Sequence, residues 1–168
     1  MTLVLQTPAL VGLVFLPFAI VIGFWVAWSD LARMKIPNKA VLALAGVFLI
    51  IGPFVLPLSE YGWRWINPVV VLFVGFILNQ TGIIGAGDVK FMAAASLFFT
   101  PRDGALMLIP LALVFIAAIV AHRALRRVAF VRNAAPDWTS WDSKKFPAGL
   151  ALGPFLVLYL TACAVWGS

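Results

Sequence analysis

Apolar stretches long enough to cross a bilayer, joined by short polar connections, restrict this chain to a bundle of membrane helices. Apolar residues occupy 64% of its 168 positions, 11% of the residues are charged, and the mean hydropathy is +1.07. A helix of roughly 20 apolar residues spans the hydrocarbon core of a bilayer. The composition therefore excludes a soluble globular domain and predicts an all-α, polytopic integral membrane protein.

We predict about six transmembrane helices within a single domain that covers residues 1–168. Proline, glycine, asparagine and charged residues separate the apolar stretches. The predicted spans are residues 8–28, 38–56, 68–84, 88–100, 104–122 and 147–166. Residues 1–10 contain no Lys or Arg, so the first span lacks the basic start of a signal peptide and is expected to be retained.

The fourth predicted span is too short to cross the membrane as a straight helix. Its 13 residues would extend about 20 Å at a rise of roughly 1.5 Å per residue, whereas the hydrocarbon core is about 30 Å thick. Backbone without helical hydrogen bonds is tolerated at membrane depth only where protein or water covers it. We therefore expect residues 82–87 to form a non-helical dip that brings Asp88 to a partly hydrated cavity.

The distribution of basic residues predicts the orientation of the chain. Ten of the twelve Lys and Arg residues follow the first, third and fifth spans. Because loops rich in Lys and Arg stay in the cytoplasm, these loops are predicted to be cytoplasmic and both termini to lie outside. The ten residues are Arg33, Lys35, Lys39, Lys90, Arg123, Arg126, Arg127, Arg132, Lys144 and Lys145. The net charge of +6 then reflects topology and contact with anionic lipids, and we expect no nucleic-acid partner.

Two aspartates fall on the predicted cytoplasmic side, Asp30 at the end of the first span and Asp88 at the start of the fourth. An ionisable residue at the edge of a span is costly and is by default a functional-site hypothesis. Taken singly, Asp30 could form an exposed ion pair with Arg33 or Lys35, and Asp88 could be the N-cap of its span. The shared side favours a joint role instead.

Two glycines, Gly85 and Gly87, precede Asp88 in the string Gly-Ala-Gly-Asp. Glycine can adopt a positive φ, and it lets another chain approach without meeting a Cβ atom. A protease that holds its substrate as an extended strand through main-chain hydrogen bonds needs such access. The string by itself is weak evidence for a protease.

Paired carboxyl groups suit hydrolysis of a peptide bond. Two carboxyls that share one water molecule do not both ionise, so one keeps its proton. The ionised group can take a proton from the water, while the protonated group polarises the peptide carbonyl. The one histidine, His122, is predicted at a solvated span end, so no catalytic triad competes. Cys163 is expected to be a small core- or lipid-facing residue. Two carboxylates without His or Cys ligands would suit only a hard cation, and we expect no metal.

Taken together, the motifs closely resemble the type IV prepilin peptidases, which are integral-membrane aspartic proteases of the Gly-x-Gly-Asp type. The chain looks most like the short branch that serves Flp/Tad-type pili and is similar in size to archaeal preflagellin peptidases. The resemblance covers nearly the whole chain in order. It is carried by Asp30 with Ile36-Pro37-Asn38, by Gly85-Ala86-Gly87-Asp88-Val89-Lys90 with Ala93 to Ala95, and by Phe146-Pro147-Ala148-Gly149-Leu150-Ala151-Leu152-Gly153.

The resemblance implies that the protein cleaves the short basic leader of a pilin precursor on the cytoplasmic side of the bacterial inner membrane, just after a glycine. Asp30 and Asp88 match the catalytic positions of the family. Lys90 matches a family lysine that either tunes Asp88 or holds an acidic group of the substrate, although it could equally be a topological anchor. We expect Asn38 to cap the second span, and Pro147 and Gly149 to shape the start of the sixth.

The larger, bifunctional members of this family carry an N-terminal segment with paired Cys-x-x-Cys motifs. This sequence has a single cysteine and therefore no such motif. We expect neither zinc nor another cofactor, and we expect any N-methylation of the cleaved pilin to be done by another protein.

The loop of residues 123–146 mixes basic residues with Trp138 and Trp141 and is predicted to be cytoplasmic. Its preferred interpretation is an interfacial belt, with tryptophan at headgroup depth and basic side chains on lipid phosphates. The alternative is a lid over the two carboxyls.

Three other functions remain open from the sequence. The chain could be a Gly-x-Gly-Asp protease that cuts other substrates within the membrane, a small proton- or cation-coupled transporter, or a non-catalytic subunit that contacts the pilus assembly machinery. Transporter sites favour two broken helices that meet near the bilayer midplane, and only one short span is visible here. The predicted shallow depth of both acids favours a cut near the membrane surface.

Overall fold

A computed structural model of the chain describes residues 5–167, and the regular elements within that range are helices. Residues 1–4 and 168 of the predicted domain lie outside the described residues. The helices are α1 (Ala9–Arg33), α2 (Asn38–Val55), α3 (Leu58–Arg64), α4 (Ile66–Gln80), α5 (Ala86–Ser96), α6 (Pro101–Leu106), α7 (Leu108–Leu125), α8 (Ala129–Ala134) and α9 (Gly149–Trp166), with a 3₁₀ helix at Thr139–Trp141.

Within residues 5–167, five helical segments are long and apolar enough to cross a membrane, namely α1, α2, the pair α3 and α4 taken together, α7 and α9. The short fourth span of the prediction corresponds to α5, which has 11 residues. That length extends about 16 Å, roughly half of the hydrocarbon core. The predicted fold class, an all-α polytopic membrane protein with a short fourth span, is confirmed.

The first helix is longer than predicted, and it contains Asp30. α1 continues to Arg33 instead of ending at residue 28. Nothing in this stretch breaks a helix until Met34, whose φ of 52° is left-handed, and a left-handed residue after the last turn is a common helix end. Asp30 therefore lies in the last turn of α1 and not beyond it.

The predicted start of the third span was wrong. α3 and α4 form a nearly continuous helix from Leu58 to Gln80 that is broken only at Trp65. Pro68 falls in the first turn of α4, where a missing N–H costs no helical hydrogen bond. The non-helical dip is also shorter than predicted, because α5 already begins at Ala86.

The core is built on α1 and α9, which pack against each other more extensively than any other pair of helices among the described residues. Glycines make this close contact possible. A Cβ atom at Gly153 would collide with the carbonyl oxygen of Gly23, and one at Gly12 would lie 2.5 Å from the amide nitrogen of Ala164. Small residues that let helix backbones approach are typical of membrane helix packing. The pair therefore forms a fixed frame for the other helices.

The turn that follows α5, residues 97–99, is largely buried, and its carbonyl groups lie beyond the end of the helix. The Arg64 guanidinium donates to the Phe98 carbonyl at 2.8 Å, and the Asn67 amide donates to the Phe99 carbonyl at 2.9 Å. Arg64 is only 3% exposed, and Glu60 pairs with its charge at 2.6 Å. A buried cation and an amide thus satisfy the end of the short helix.

A second buried charge, Asp103, holds the segment that precedes α1. Its carboxylate accepts hydrogen bonds from the backbone N–H groups of Gln6 and Thr7 at 2.8 and 2.9 Å, and from the Tyr159 hydroxyl at 3.1 Å. Burial alone would raise the pKa of Asp103, but these hydrogen bonds outweigh burial and hold the pKa below its ordinary value. Asp103 is therefore ionised when the protein is folded.

Replacing Asp103 by Asn is expected to lower the free energy of unfolding by about 1.5–3 kcal/mol at neutral pH, because an amide cannot accept all of these hydrogen bonds. A carboxyl whose pKa is lowered by folding stabilises the fold above its unfolded pKa of about 3.9, and the stabilisation is lost as the pH falls through the folded pKa. The advantage of the wild type over Asp103→Asn should therefore be constant above about pH 5 and shrink below it. Thermal unfolding of the detergent-solubilised proteins between pH 7 and pH 3 measures this difference. An advantage that grew on acidification would contradict the assignment.

Candidate active site

Asp30 is held against the start of α9. Its side chain is only 5% exposed, and its Oδ2 atom accepts a hydrogen bond of 2.7 Å from the backbone N–H of Gly149. Gly149 is the first residue of α9, so this N–H group has no partner within the helix. The positive end of the helix dipole also faces the carboxyl. One oxygen of Asp30 is thereby held at the start of α9.

The absence of a side chain at position 149 is what permits this contact. A Cβ atom there would lie 2.9 Å from Cβ of Asp30 and 3.1 Å from its Oδ2 atom. The turn before it is set by Pro147, which is buried and whose carbonyl accepts the N–H of Leu150 at 3.1 Å. Pro147 and Gly149 therefore lie at the start of α9, where the sequence placed them.

Asp88 lies in the first turn of α5 and is half-buried. It is not the N-cap residue, because the helix begins at Ala86. As the third residue of the helix, it reaches back so that its Oδ2 atom accepts the Gly85 N–H at 3.2 Å, as the acidic member of a capping box does. The carboxyl is thus oriented by the helix that carries it.

The sequence suggested that Gly85 and Gly87 adopt a positive φ, but neither of them does. Gly85 has a φ of −71° and Gly87 is helical, whereas the left-handed glycine is Gly82, at φ 73°. Gly85 instead makes room for Asp88, since a Cβ there would lie 2.8 Å from its Oδ2 atom. Gly87 faces Ile36, and a Cβ there would lie 3.4 Å from that side chain. Gly85 therefore serves close packing against the carboxyl, whereas a Cβ at Gly87 would make an ordinary van der Waals contact.

Asp30 and Asp88 line the same cavity, which has a volume of about 990 Å³. We call this space the acid cavity; its walls come from the end of α1, the connection to α2, residues 82–88, α7 and the start of α9. Neither of the two ion pairs found within residues 5–167 involves Asp30, so the predicted alternative of a bridge to Arg33 or Lys35 is not formed.

Three lysines, Lys35, Lys90 and Lys145, stand at the acid cavity with their side chains exposed. The Lys90 ammonium donates to Oδ1 of Asn38 at 3.3 Å. Asn38 does not cap α2, because it is the first helical residue and its side chain makes no cap hydrogen bond. Its observed contact is the one to Lys90, which links the start of α2 to α5.

The loop of residues 123–146 packs on the bundle beside the acid cavity. Trp141 is 3% exposed and stacks on His122 with ring centroids 5.3 Å apart. The Thr139 hydroxyl donates to the Ala32 carbonyl at 3.0 Å. The interfacial belt is therefore wrong for Trp141, and the solvated end is wrong for His122, which is 4% exposed. A buried histidine against tryptophan is an aromatic contact that local sequence does not reveal.

Several apolar residues of the acid cavity were not among the predicted site residues. Phe146 and Phe115 line it, as do Met34 and Met92. Phe146 immediately precedes Pro147, so its place next to the start of α9 is a signal that the sequence offered. Phe115 and Met92 lie on apolar helices, and the sequence does not distinguish residues that face the cavity from those that face lipid or the core.

The sequence model of the type IV leader peptidase family matches residues 11–122, which is most of the chain. The chain belongs to this family. The matched region of this leader peptidase contains Asp30, Asp88 and Lys90, and it ends before the loop and α9. Comparison with curated proteins gives no match, and comparison with solved structures gives none. Membership identifies the protein as a membrane-embedded peptidase, and hence a hydrolase, with a protein substrate.

Proposed function

We propose that this leader peptidase is an aspartyl endopeptidase that removes the basic leader of type IV or Flp-like pilin precursors. The observation that carries the proposal is that Asp30 and Asp88 line one cavity although 57 positions separate them in the chain. Each carboxyl is oriented by a backbone N–H at the start of a helix. Preorganised acid and base groups are what hydrolysis of a peptide bond requires.

The reaction follows from one shared proton. The ionised carboxyl removes a proton from a water molecule as its oxygen attacks the scissile carbonyl carbon, and the protonated carboxyl donates to the carbonyl oxygen. Collapse of the tetrahedral intermediate breaks the C–N bond: the carboxyl that took the proton from water passes it to the leaving nitrogen, and the other carboxyl takes a proton back from a hydroxyl of the intermediate. The products are a new carboxylate and a new amine, and the dyad returns to its singly protonated state.

The active site is proposed to face the cytoplasm at the bacterial inner membrane, with both termini outside. Ten of the twelve basic residues support this orientation, and exposed Arg126 and Arg127 are placed to contact anionic lipids. Asp30 is three residues from the end of α1 and Asp88 is the third residue of α5, which supports a cut near the membrane surface. A reporter fused to the C-terminus should therefore be periplasmic.

The direct test is processing of a co-expressed pilin precursor. Membranes that contain this protein should convert the precursor to a shorter product on a gel, with a new N-terminus directly after a glycine. A precursor whose leader lacks that glycine is the matched control and should stay uncut. Precursor that remains intact although the peptidase is correctly inserted would refute the proposal.

Lys90→Ala is expected to reduce the rate of precursor cleavage without abolishing it. Lys90 lies at the acid cavity but bonds Asn38 and neither carboxyl, so its charge acts on the site or the substrate from a distance. Charges at exposed positions contribute modestly, about 1 kcal/mol or less, which is roughly a fivefold change in kcat/KM. Lys39→Ala, an exposed lysine on the same helix as Asn38, is the control. A complete loss of activity in Lys90→Ala would instead place the lysine in the chemistry.

A further inference from the structure

An apolar crevice lies next to the acid cavity, between α5 and α7. This crevice, which we call the apolar slot, has a volume of about 490 Å³ and is lined by α4, α5, the start of α7 and α9. Four residues belong to the walls of both spaces, namely Met92, Leu108, Leu111 and Leu152. The two spaces are therefore neighbours that share a wall.

The slot exists because, among the described helices, α7 packs closely on α9 but not on α5. In the described part of the chain, α7 packs on α9 and on its neighbour α6 but has no comparable packing against α4 or α5. His122 is the one buried residue of α7, and Leu108, which lines the slot, is 63% exposed. Within residues 5–167, the side of α7 that points toward α5 is thus not closely packed by another helix.

The acid cavity and the apolar slot differ in the polarity of the residues that line them. The acid cavity carries two aspartates and three lysines, whereas no charged residue is found among the slot residues of the described chain. The Asn67 amide, a polar group at the slot, is already bonded to the carbonyls of Ser96 and Phe99. The slot therefore suits apolar side chains only, directly beside a site that suits polar ones.

We propose that the apolar slot holds part of the substrate, namely an apolar helical segment that directly follows the scissile bond. This inference rests on the proposed function, because it assumes that the acid cavity cuts a peptide chain. Asp88 and Phe99 are 11 residue steps apart along the chain, and 11 steps of a helix correspond to about 16 Å or three turns. A membrane-inserted substrate whose cut site lies at the carboxyls would place about ten apolar residues along this stretch.

A second apolar groove on the protein is a less suitable place for that helix. It lies between α1 and α9, measures about 1030 Å³, and is lined by residues such as Phe24, Trp28 and Leu158. None of its wall residues belongs to the acid cavity. A helix bound there would not lead directly to Asp30 and Asp88.

A substitution that fills the slot with a larger side chain tests substrate binding there separately from catalysis at the carboxyls. A Cβ at Gly104, which lines the slot, meets nothing within 4 Å, and the same holds for Gly62 in α3, which does not line it. Leucine also favours a helix more than glycine does, so both variants should fold. Gly104→Leu should lower the ratio of kcat/KM for the full precursor to kcat/KM for a peptide truncated after the cut site by about tenfold. Gly62→Leu should leave the ratio as in wild type.

The outcomes of this assay are distinguishable. If the wild type cleaves neither substrate, the proposed function fails. If the wild type cleaves both and Gly104→Leu leaves the ratio unchanged, the peptidase stands and the slot proposal is overturned.

Cysteine cross-linking tests the same contact without turnover. The native Cys163 is fully buried, so new cysteines can be introduced one at a time into the Asp88→Asn protein. Leu108→Cys should cross-link to a precursor that carries one cysteine in its apolar helix. Ile109→Cys, on another face of the same helix, and Leu158→Cys, in the groove between α1 and α9, should not. Preferential cross-linking at position 158, or none at position 108, would overturn the proposal.

Discussion

Replacing either Asp30 or Asp88 by Asn is expected to abolish cleavage of a pilin precursor. Asparagine keeps the size of aspartate and can still accept the N–H of Gly149 or Gly85, so packing is preserved while the shared proton is lost. A general acid or base contributes about 10²- to 10⁴-fold to the rate, and each carboxyl serves in both roles during one turnover. The gel-shift assay should show only precursor, with the level and membrane insertion of both variants unchanged.

Exposed acids of the loop provide the matched controls for this experiment. Asp137 and Asp142 are exposed, and Asp142 pairs with Arg132 at 2.7 Å on the surface. Asp137→Asn and Asp142→Asn remove the same charge from the same side of the bundle but leave the acid cavity intact. Both should process precursor as wild type does. Full activity in Asp30→Asn or Asp88→Asn would remove the carboxyl pair from the mechanism.

The largest expected effect on stability comes from Arg64→Ala. The substitution takes the donor away from the Phe98 carbonyl at the end of α5 and leaves the charge of Glu60 without its partner. Glu60 is 34% exposed, so most of the cost comes from the lost charged hydrogen bond and the unpaired buried carbonyl, about 3 kcal/mol in total. The free energy of unfolding should fall by that amount, as measured by denaturant or thermal unfolding of the detergent-solubilised protein.

Arg102 is the control for that measurement, because it is an exposed arginine on α6. Exposed substitutions away from special features usually change stability by about 0.5 kcal/mol or less, and Arg102→Ala should behave in this way. Equal destabilisation by both variants would mean that loss of positive charge, and not loss of the buried contacts, is responsible.

The helical bundle was predictable because each membrane-spanning helix is determined by its own stretch of apolar residues. A stretch of apolar residues fixes a helix whatever surrounds it, since backbone groups in lipid must bond within their own segment. The short α5 was predictable for the same reason, from the distance between Asp88 and Thr100-Pro101. The ends of helices were less so: Pro68 looked like a start, although it lies inside the first turn of a helix that begins earlier.

Tertiary contacts between segments that are distant in the chain could not be predicted from the sequence. Arg64 lies between the predicted second and third spans, where the sequence gives no reason for burial, yet it is buried and donates to the Phe98 carbonyl just after α5. His122 looked solvated, because the tryptophan that covers it lies 19 positions away in a loop. The positions of the two aspartates were indicated by charge and spacing, but the contact of Asp30 with a backbone N–H group was not.

The bond between Gly149 and Asp30 has a consequence for how the protein is made. The two residues are 119 positions apart, so the ribosome inserts α1 into the membrane long before it synthesises the amide that orients the carboxyl. A nascent chain that carries both acids therefore still lacks the N–H group that holds Asp30. If cleavage depends on this carboxyl, as proposed, the protein becomes active only when the helix that begins at position 149 has joined the bundle.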